Sequence, residues 1–445
     1  MITYALKKSI VAIVFGMVVL LSLPSINDAS GFTVDRISGE NRYKTAVEVS
    51  KKGWTSSGTV LIAAGNQFPD ALTGTPLAYS LNAPILLTQN STLPSETKKE
   101  ISRLKAKDAI ILGGTNAVSN NVYNQLVEMG LKVDRISGSD RYQTSVKIAE
   151  RLSGQTNTAV VVYGKNFPDS LAIAAHAAQN GYPILLTKSD SLPSETKKIL
   201  SKYRNTIVVG GSGVISESQL KHMPNAKRYS GKDRYDTVAK LVNELGIKFG
   251  NEVYMATGQS YADALTGSVL AAKNKSSLVL VQKDKIPAPV QSMLDKVSAS
   301  KVTIIGGTNA VSANVQNKLE GFDTVALVNT ATQYIGAPYK YGGTSPSGFD
   351  CSGFIQFVFG KHGISTPRTT ADLHAGGKAV SKLEVGDLVF YRTDPKKNSA
   401  SHAGIYIGNN KFIHAKSAGS NIGVTIDEMS NSYFAPLYLG AKRYH

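Results

Sequence analysis

One four-part pattern recurs three times along this 445-residue chain, and that triplication limits the fold more than any other feature. The strings DRISGENRY (35–43), DRISGSDRY (134–142) and KRYSGKDRY (227–235) open the copies. A stretch of helical period follows each, and then an apolar run closes on Asp70, Asp169 or Asp263, in TVLIAAGNQFPDAL, AVVVYGKNFPDSL and EVYMATGQSYADAL. The last part is a glycine pair after another apolar run (IILGGTNAVS, IVVGGSGVIS, TIIGGTNAVS), starting at Gly113, Gly210 and Gly306. A period of about 95 residues lets each copy bury a core of its own, which predicts an array of domains and not a solenoid of short repeats. Within a copy, apolar runs of strand length alternate with helical stretches, the pattern of a parallel sheet covered on both faces, an α/β fold. Each glycine pair falls where a strand ends and the backbone must turn sharply or approach a neighbour closely. The copies are bounded at 33–132, 133–226 and 227–322, and a region without the repeat follows over 325–445.

Charge and cysteine content narrow the setting. Lys and Arg number 49 against 32 Asp and Glu, a net charge of +17, and most of the surplus lies before residue 327. Such a chain favours an anionic partner: nucleic acid, acidic membrane or an anionic wall polymer. Lys7 and Lys8 precede the apolar run IVAIVFGMVVLLSL (10–23), then Pro24 and small or polar residues. That run is short for a membrane span, and its order of basic, apolar and small residues predicts a secretory signal over 1–29; the alternative is an uncleaved anchor. Export makes nucleic acid an unsuitable partner and confines membrane contact to export itself. The single cysteine excludes an intramolecular disulfide, so packed cores must hold the exported chain together.

That cysteine lies in GFDCSGF (348–354). DTVALVNTATQYIGAPYKYGG ahead of it reads as a helix on Val325, Val328, Thr332 and Ile335, stopped by Gly336 and Pro338. Little spacer separates that helix from the third copy, which predicts a last domain seated close against it. Phe354, Phe357 and Val358 then fall at i, i+3 and i+4 of a second helix, with Gly363 placed to end it and Asp350 to cap its start. Cys351 lands in the first turn, where free amides and the helix dipole favour a thiolate at neutral pH; the alternative is a small buried hydrophobe. GDLVFYRTD (386–394) and HAGIYIGNNKFIHA (402–415) read as strands, the second a hairpin turning at Asn409-Asn410. A two-residue loop there would put His402 and His414 on opposite faces of the hairpin. A three-residue loop from Gly408, or a bulge, would bring both imidazoles to one face. With a cysteine nearby they could then act as base and orienting group.

SGENRY, FPDAL, APILLT and ILGGTNAVS, at these spacings, resemble the cell wall binding repeat 2 modules of Gram-positive surface proteins, over roughly residues 33–322. The resemblance implies small Rossmann- or Toprim-like α/β domains in a pseudo-threefold array, attached non-covalently to an anionic secondary wall polymer. Arg42, Arg141 and Arg234 recur in register. They could fork onto polymer phosphates or carboxylates, or each could tie its own module together through Asp70, Asp169 or Asp263. PILLT at 84–88 and 183–187 gives way to SLVLVQ (277–282), so the resemblance implies an altered or lost polymer site in the third copy.

APYKYGG, GFDCSGF, GDLVFY, HAGIYIGN and FIHA, in that order over about 325–445, resemble the NlpC/P60 peptidases, α+β papain-like enzymes that cut peptidoglycan stem peptides. Carried over by position, the resemblance makes Cys351 the nucleophile, His402 its general base and His414 the group that orients His402. Tyr339 would help stabilise the oxyanion beside the Cys351 backbone N–H. Asp350 and Ser352 would line the substrate site, where a free peptide amine is received. Tyr341 stands where the family often has Trp and Ala403 where it often has Val, departures that bear on fine specificity. The implied protein is a secreted cell-wall hydrolase of a Gram-positive surface, with stem peptides as substrate and a wall polymer as anchor. The implied bond joins γ-D-glutamate to a diamino acid. No metal or cofactor is expected, since no residues have metal-ligand spacing. The alternatives are a CHAP-type amidase, an acyltransferase of similar fold, and a non-catalytic surface structural protein or adhesin.

Overall fold

A computed structural model describes residues 31–67, 71–152, 156–419 and 422–445; the expected secretory segment and Asp70 lie outside the described residues. The repeats form three four-stranded parallel sheets. One orders Ile85–Thr88, Thr59–Ala64, Asp108–Leu112 and Lys132–Ile136; the next orders Ile184–Thr187, Thr158–Tyr163, Asn205–Val209 and Ala226–Tyr229. The third orders Leu278–Val281, Glu252–Thr257, Lys301–Ile305 and, from the far end of the array, Thr33–Ile37. Each sheet thus takes its last strand from the start of another copy. The first copy's opening strand closes the circle, with Thr33 opposite Lys301 and Ile37 opposite Ile305. The central strands are buried along nearly their whole length, as helices on both faces require.

The repeated strings now have local causes. Asn41, Asp140 and Asp233 are helix N-caps, accepting from the backbone N–H of Lys44, Gln143 and Asp236. The preceding glycine is needed because the chain crosses that first turn: a Cβ on Gly39, Gly138 or Gly231 would lie 2.4–2.6 Å from it. Gly113, Gly210 and Gly306 hold φ of 107°, 126° and 116°, conformations that favour glycine. Their carbonyls accept from Arg135, Arg228 and Arg36, the arginines of the opening strands, so each glycine turn is locked by the neighbouring copy's strand.

Arg42, Arg141 and Arg234 each donate to a carbonyl of their own copy, Gly65, Gly164 and Gly258. For Arg42 and Arg234 the carboxylate that feels their charge lies in another copy. Arg42 acts on Asp263 and Arg234 on Asp169, so the charge pairing runs between copies, in contrast to a tie through each module's own aspartate. The reason is geometric: helices Thr75–Ser80, Pro168–Gln179 and Ala262–Lys273 meet at the centre of the array, and the last two carry Asp169 and Asp263 in their first turns, within the field of a neighbouring copy's arginine. Arg234 also lies 5.8 Å from the centroid of the Phe167 ring, which is 6.1 Å from that of Tyr261.

Burial outweighs the arginine and raises Asp169 and Asp263 to about 6. Unfolded, these groups ionise near pH 4. A carboxylate raised on folding contributes fully below its unfolded value, and that contribution is lost as pH climbs through the folded one. The loss is at most about 3 kcal/mol per carboxylate. An Asp169→Asn, Asp263→Asn variant should therefore gain in Tm relative to the parent as pH rises from about 4 to about 6.5. A Tm difference that stays constant across that range contradicts the assignment.

The C-terminal domain is α+β. A six-stranded antiparallel sheet orders Lys378–Ala379, Tyr438–Arg443, Leu388–Tyr391, His402–Gly408, Lys411–Lys416 and Gly423–Glu428. Helices Thr324–Thr332 and Cys351–Gly360 complete its core with Leu327, Ala331, Phe354 and Val358. The first of these helices is phased differently from the sequence expectation. Thr324, Leu327 and Ala331 face inward, while Val325 and Ile335 are 60% and 50% exposed. Two apolar stripes compete in that short segment, and the Asp323 cap together with packing selects the narrower one. The domain does sit against the third module. Phe322 stacks on the C-terminal His445 at 4.3 Å between ring centroids, and Lys382 Nζ donates to Asn309 Oδ1 at 2.9 Å.

Candidate active site

Cys351 is the first residue of helix Cys351–Gly360, and Asp350 caps it, accepting from the Gly353 N–H at 2.6 Å. Gly353 is obligatory there, since a Cβ would stand 2.0 Å from the Gly343 carbonyl oxygen. Arg368 forks onto both Asp350 oxygens at 3.0 and 2.7 Å and also donates to Ser352 Oγ at 3.0 Å. The Gly342 N–H and the Ser352 hydroxyl add to the set. With so many donors converging on one carboxylate, Asp350 is occupied in shaping the turn under the nucleophile and has little capacity left for a substrate amine.

Cys351 Sγ lies 3.3 Å from Thr370 Oγ1, and the backbones of Ala403 and Ser352 also hydrogen-bond to it. Burial nevertheless pushes the thiol up from its ordinary value, against the expectation of a resting thiolate. The helix terminus favours a thiolate, but desolvation around the sulfur outweighs it. As Cys351 is the sole cysteine, labelling reports on it alone. The iodoacetamide rate should climb steadily with pH to beyond about 8.5, and a plateau in the acid range would reveal a preformed thiolate.

His402 reaches the site from strand His402–Gly408, whose residue Ala403 touches the sulfur. In the hairpin Ile405 faces Ile413 and Tyr406 faces Phe412, and a bulge then shifts the register so that Gly408 faces Lys411. That bulge, with Gly408, Asn409 and Asn410 all at positive φ, places both imidazoles on one face. His402 Nε2 lies 2.6 Å from His414 Nδ1. His414 Nε2 in turn lies 3.1 Å from Asp427 Oδ2, which also accepts from Lys416 Nζ at 3.0 Å.

The protons in this line follow from its end. The His414 hydrogen bond, with Lys416, holds Asp427 down at about 2, so it can only accept and His414 Nε2 must donate. Burial lowers both histidines from the ordinary imidazole value, His402 to about 3, which keeps them neutral. Neutral His414 then offers a bare Nδ1 to the His402 Nε2–H, and His402 keeps its Nδ1 lone pair as a base. Phe412 and Phe434 pack against the rings and cover part of the relay.

Two cavities flank this line. One is lined by Tyr339, Asp350, Cys351, Ser352 and Arg368, the other by His402, Lys416, Asp427 and Tyr433. Tyr339 hydrogen-bonds with Ser417 and lies in the field of Cys351. Sequence reasoning missed Asp427, Arg368 and Thr370. Asp427 belongs to a strand, GVTIDE (423–428), whose alternation was legible, but its partner was not.

Comparison with known proteins gives two family matches. The cell wall binding domain 2 (CWB2) model matches residues 36–123, 135–220 and 228–316, and the NlpC/P60 family model matches 336–443. The chain is 39% identical over 290 residues to the N-acetylmuramoyl-L-alanine amidase LytC of Bacillus subtilis, covering 65% of this chain and 58% of that protein. It is 50% identical over 118 residues to the probable peptidoglycan endopeptidase LytE of the same organism, covering 26% of this chain and 34% of the relative. Both matches leave a large part of the relative outside the alignment. Among solved structures, Cwp6 from Clostridium difficile superposes with a TM-score of 0.62 at 30% identity, over 66% of this chain and 48% of that one.

Proposed function

Because the chain belongs to the cell wall binding domain 2 family and carries an NlpC/P60 domain at its C-terminal end, we propose that it is a wall-anchored peptidoglycan hydrolase, a cysteine endopeptidase acting on stem peptides. The observation that carries this reading is the relay His402, His414, Asp427, which begins on the strand whose next residue, Ala403, hydrogen-bonds through its backbone to Cys351 at the wall of a cleft. His402 Nδ1 takes the thiol proton as Sγ attacks the peptide carbonyl: the S–H bond breaks, the S–C bond forms, and imidazolium and oxyanion appear together. The Cys351 N–H and the Tyr339 hydroxyl receive the oxyanion. His402 returns its proton to the leaving amine, a thioester remains, and water activated by the same imidazole releases it. The bond we assign is that between γ-D-glutamate and a diamino acid.

The test is digestion of purified peptidoglycan, with the products read by mass spectrometry. New diamino-acid N-termini support the endopeptidase. Freed muramic lactyl groups would instead identify an amidase, the activity named for LytC; that 290-residue match is too long for the C-terminal domain and must include much of the repeats.

Secretion to the wall and retention there through an anionic polymer form the other half of the proposal, supported by the net charge of +17. Tethering raises the concentration of enzyme at its substrate. Arg42, Arg141 and Arg234 remain candidates for polymer contact only at the edges that their internal bonds leave open. Binding to purified walls should fall steeply between about 50 and 200 mM salt. Attachment indifferent to salt would remove charge as the cause.

A further inference from the structure

Three successive residues, Arg368, Thr369 and Thr370, act differently beside the nucleophile. Arg368 forks onto Asp350, the cap of the Cys351 helix. Thr369 caps the next helix, Thr370–Ala375, accepting from the Asp372 N–H at 3.2 Å. Thr370 opens that helix and is buried, and its hydroxyl lies 3.3 Å from Cys351 Sγ. Among the described residues that hydroxyl has no other hydrogen-bond partner. The helix is pinned from the far side: Leu373 is fully buried in the domain core, and its carbonyl accepts from the Tyr444 hydroxyl at 2.8 Å. Both ends of the contact are thus held independently, Thr370 through Leu373 and Cys351 through Asp350.

We infer that Thr370 is a catalytic residue whose hydroxyl donates to the Cys351 sulfur as negative charge develops there. The inference rests on the endopeptidase reading and adds a donor to it. When the S–H proton passes to His402 Nδ1, the electron pair stays on a sulfur whose packed surroundings penalise the charge. The hydroxyl turns its hydrogen onto that sulfur, and its own O–H bond stays intact. The other hydrogen bonds to the sulfur come from the backbones of Ala403 and Ser352, which are present whatever side chains stand there. Among the described residues Thr370 alone makes a side-chain hydrogen bond to it. A hydroxyl suits a partner that changes charge, because it accepts from a thiol and donates to a thiolate. Valine has nearly the same shape and does neither, so it leaves the thiolate one donor short.

Iodoacetamide labelling of the full chain reads this contact directly, since Cys351 is the sole cysteine and the rate tracks its thiolate fraction. At a fixed pH below the thiol's titration, Thr370→Val should label about tenfold more slowly than the parent, the effect of losing one hydrogen bond to a charged group. Thr370→Ser should restore the parent rate. The charged and titratable groups around the sulfur are Asp350, Arg368 and Tyr339, with His402 on the strand of Ala403 and Lys397 in the cleft wall. None of them is altered in these variants. Against a soluble stem peptide with γ-D-glutamate before a diamino acid, Thr370→Val should lower kcat about tenfold and leave KM within about twofold, and Thr370→Ser should recover kcat. Tm reports folding, and Thr370→Ala replaces Thr370→Val if valine lowers it. Labelling of the variant at the parent rate, or slowing that Thr370→Ser does not restore, overturns the inference. So does a raised KM with kcat unmoved, which places the hydroxyl against substrate instead of sulfur. Each of these outcomes leaves the endopeptidase reading standing, whereas a parent chain that does not cut the peptide overturns that reading and the catalytic role together.

Discussion

Cys351→Ala should reduce stem-peptide cleavage by about 10⁴-fold or more, with wall binding and Tm near those of the parent. The sulfur forms the covalent bond on which both half-reactions depend, and His402 alone has no nucleophile to activate. What remains is the stabilisation offered by the oxyanion donors and by binding, which is small beside the loss. Cys351→Ser should be nearly as inactive. A hydroxyl is a far weaker acid than the thiol, and an imidazole whose basicity burial has already lowered cannot deprotonate it effectively. The measurement is product release from purified peptidoglycan. Lysis by Cys351→Ala at the parent rate would falsify the assignment and return the domain to a structural role.

The second large effect concerns a residue that never touches substrate in this line. Asp427→Asn should lower kcat by about 10²–10⁴-fold with little change in KM for a substrate that leaves the second cavity empty. Asparagine is nearly the same shape, but its amide can donate to His414 Nε2. His414 would then carry its proton on Nδ1 and present it to His402 Nε2, forcing the His402 proton onto Nδ1, where the base is needed. Asp427→Ala removes the carboxylate without dictating the wrong tautomer, so it should be less damaging than the isosteric change. That order of activities, alanine above asparagine, is a signature that loss of packing would not produce. The reverse order would mean that Asp427 only fills space.

Much of the architecture was legible because it is written in local rules. The triplicated strings mark helix caps, glycine turns and buried strands: the Asn41 cap is made within its own first turn, and the positive φ at Gly113 calls for glycine whatever strand later locks it. The hairpin parity was legible too, because two histidines serve one site only if the loop is odd or bulged. What escaped depends on contacts across long separations. Arg42 meets Asp263 only because the array closes on itself, and no spacing within a copy encodes that. Asp427 joins the relay because strand Gly423–Glu428 pairs with Lys411–Lys416 in a register where Ile413 faces Ile426. The thiol's environment escaped for another reason: a helix terminus can be read from a string, but the depth of the surrounding packing cannot.

The pairing of Thr33–Ile37 with Lys301–Ile305 has a consequence for copy number. An open chain of such units could be lengthened or shortened by one at will, at the cost of a free edge at each end. Here every unit borrows an outer strand, and the count at which the borrowing comes full circle is three. Removing residues 31–41 would strip Lys301–Ile305 of one of its two neighbours and expose an unpaired, largely apolar edge next to the C-terminal domain, a surface prone to self-association. The array is accordingly closed at a fixed number of units and not a string of beads, and the C-terminal domain rides on the unit where the seam is sewn.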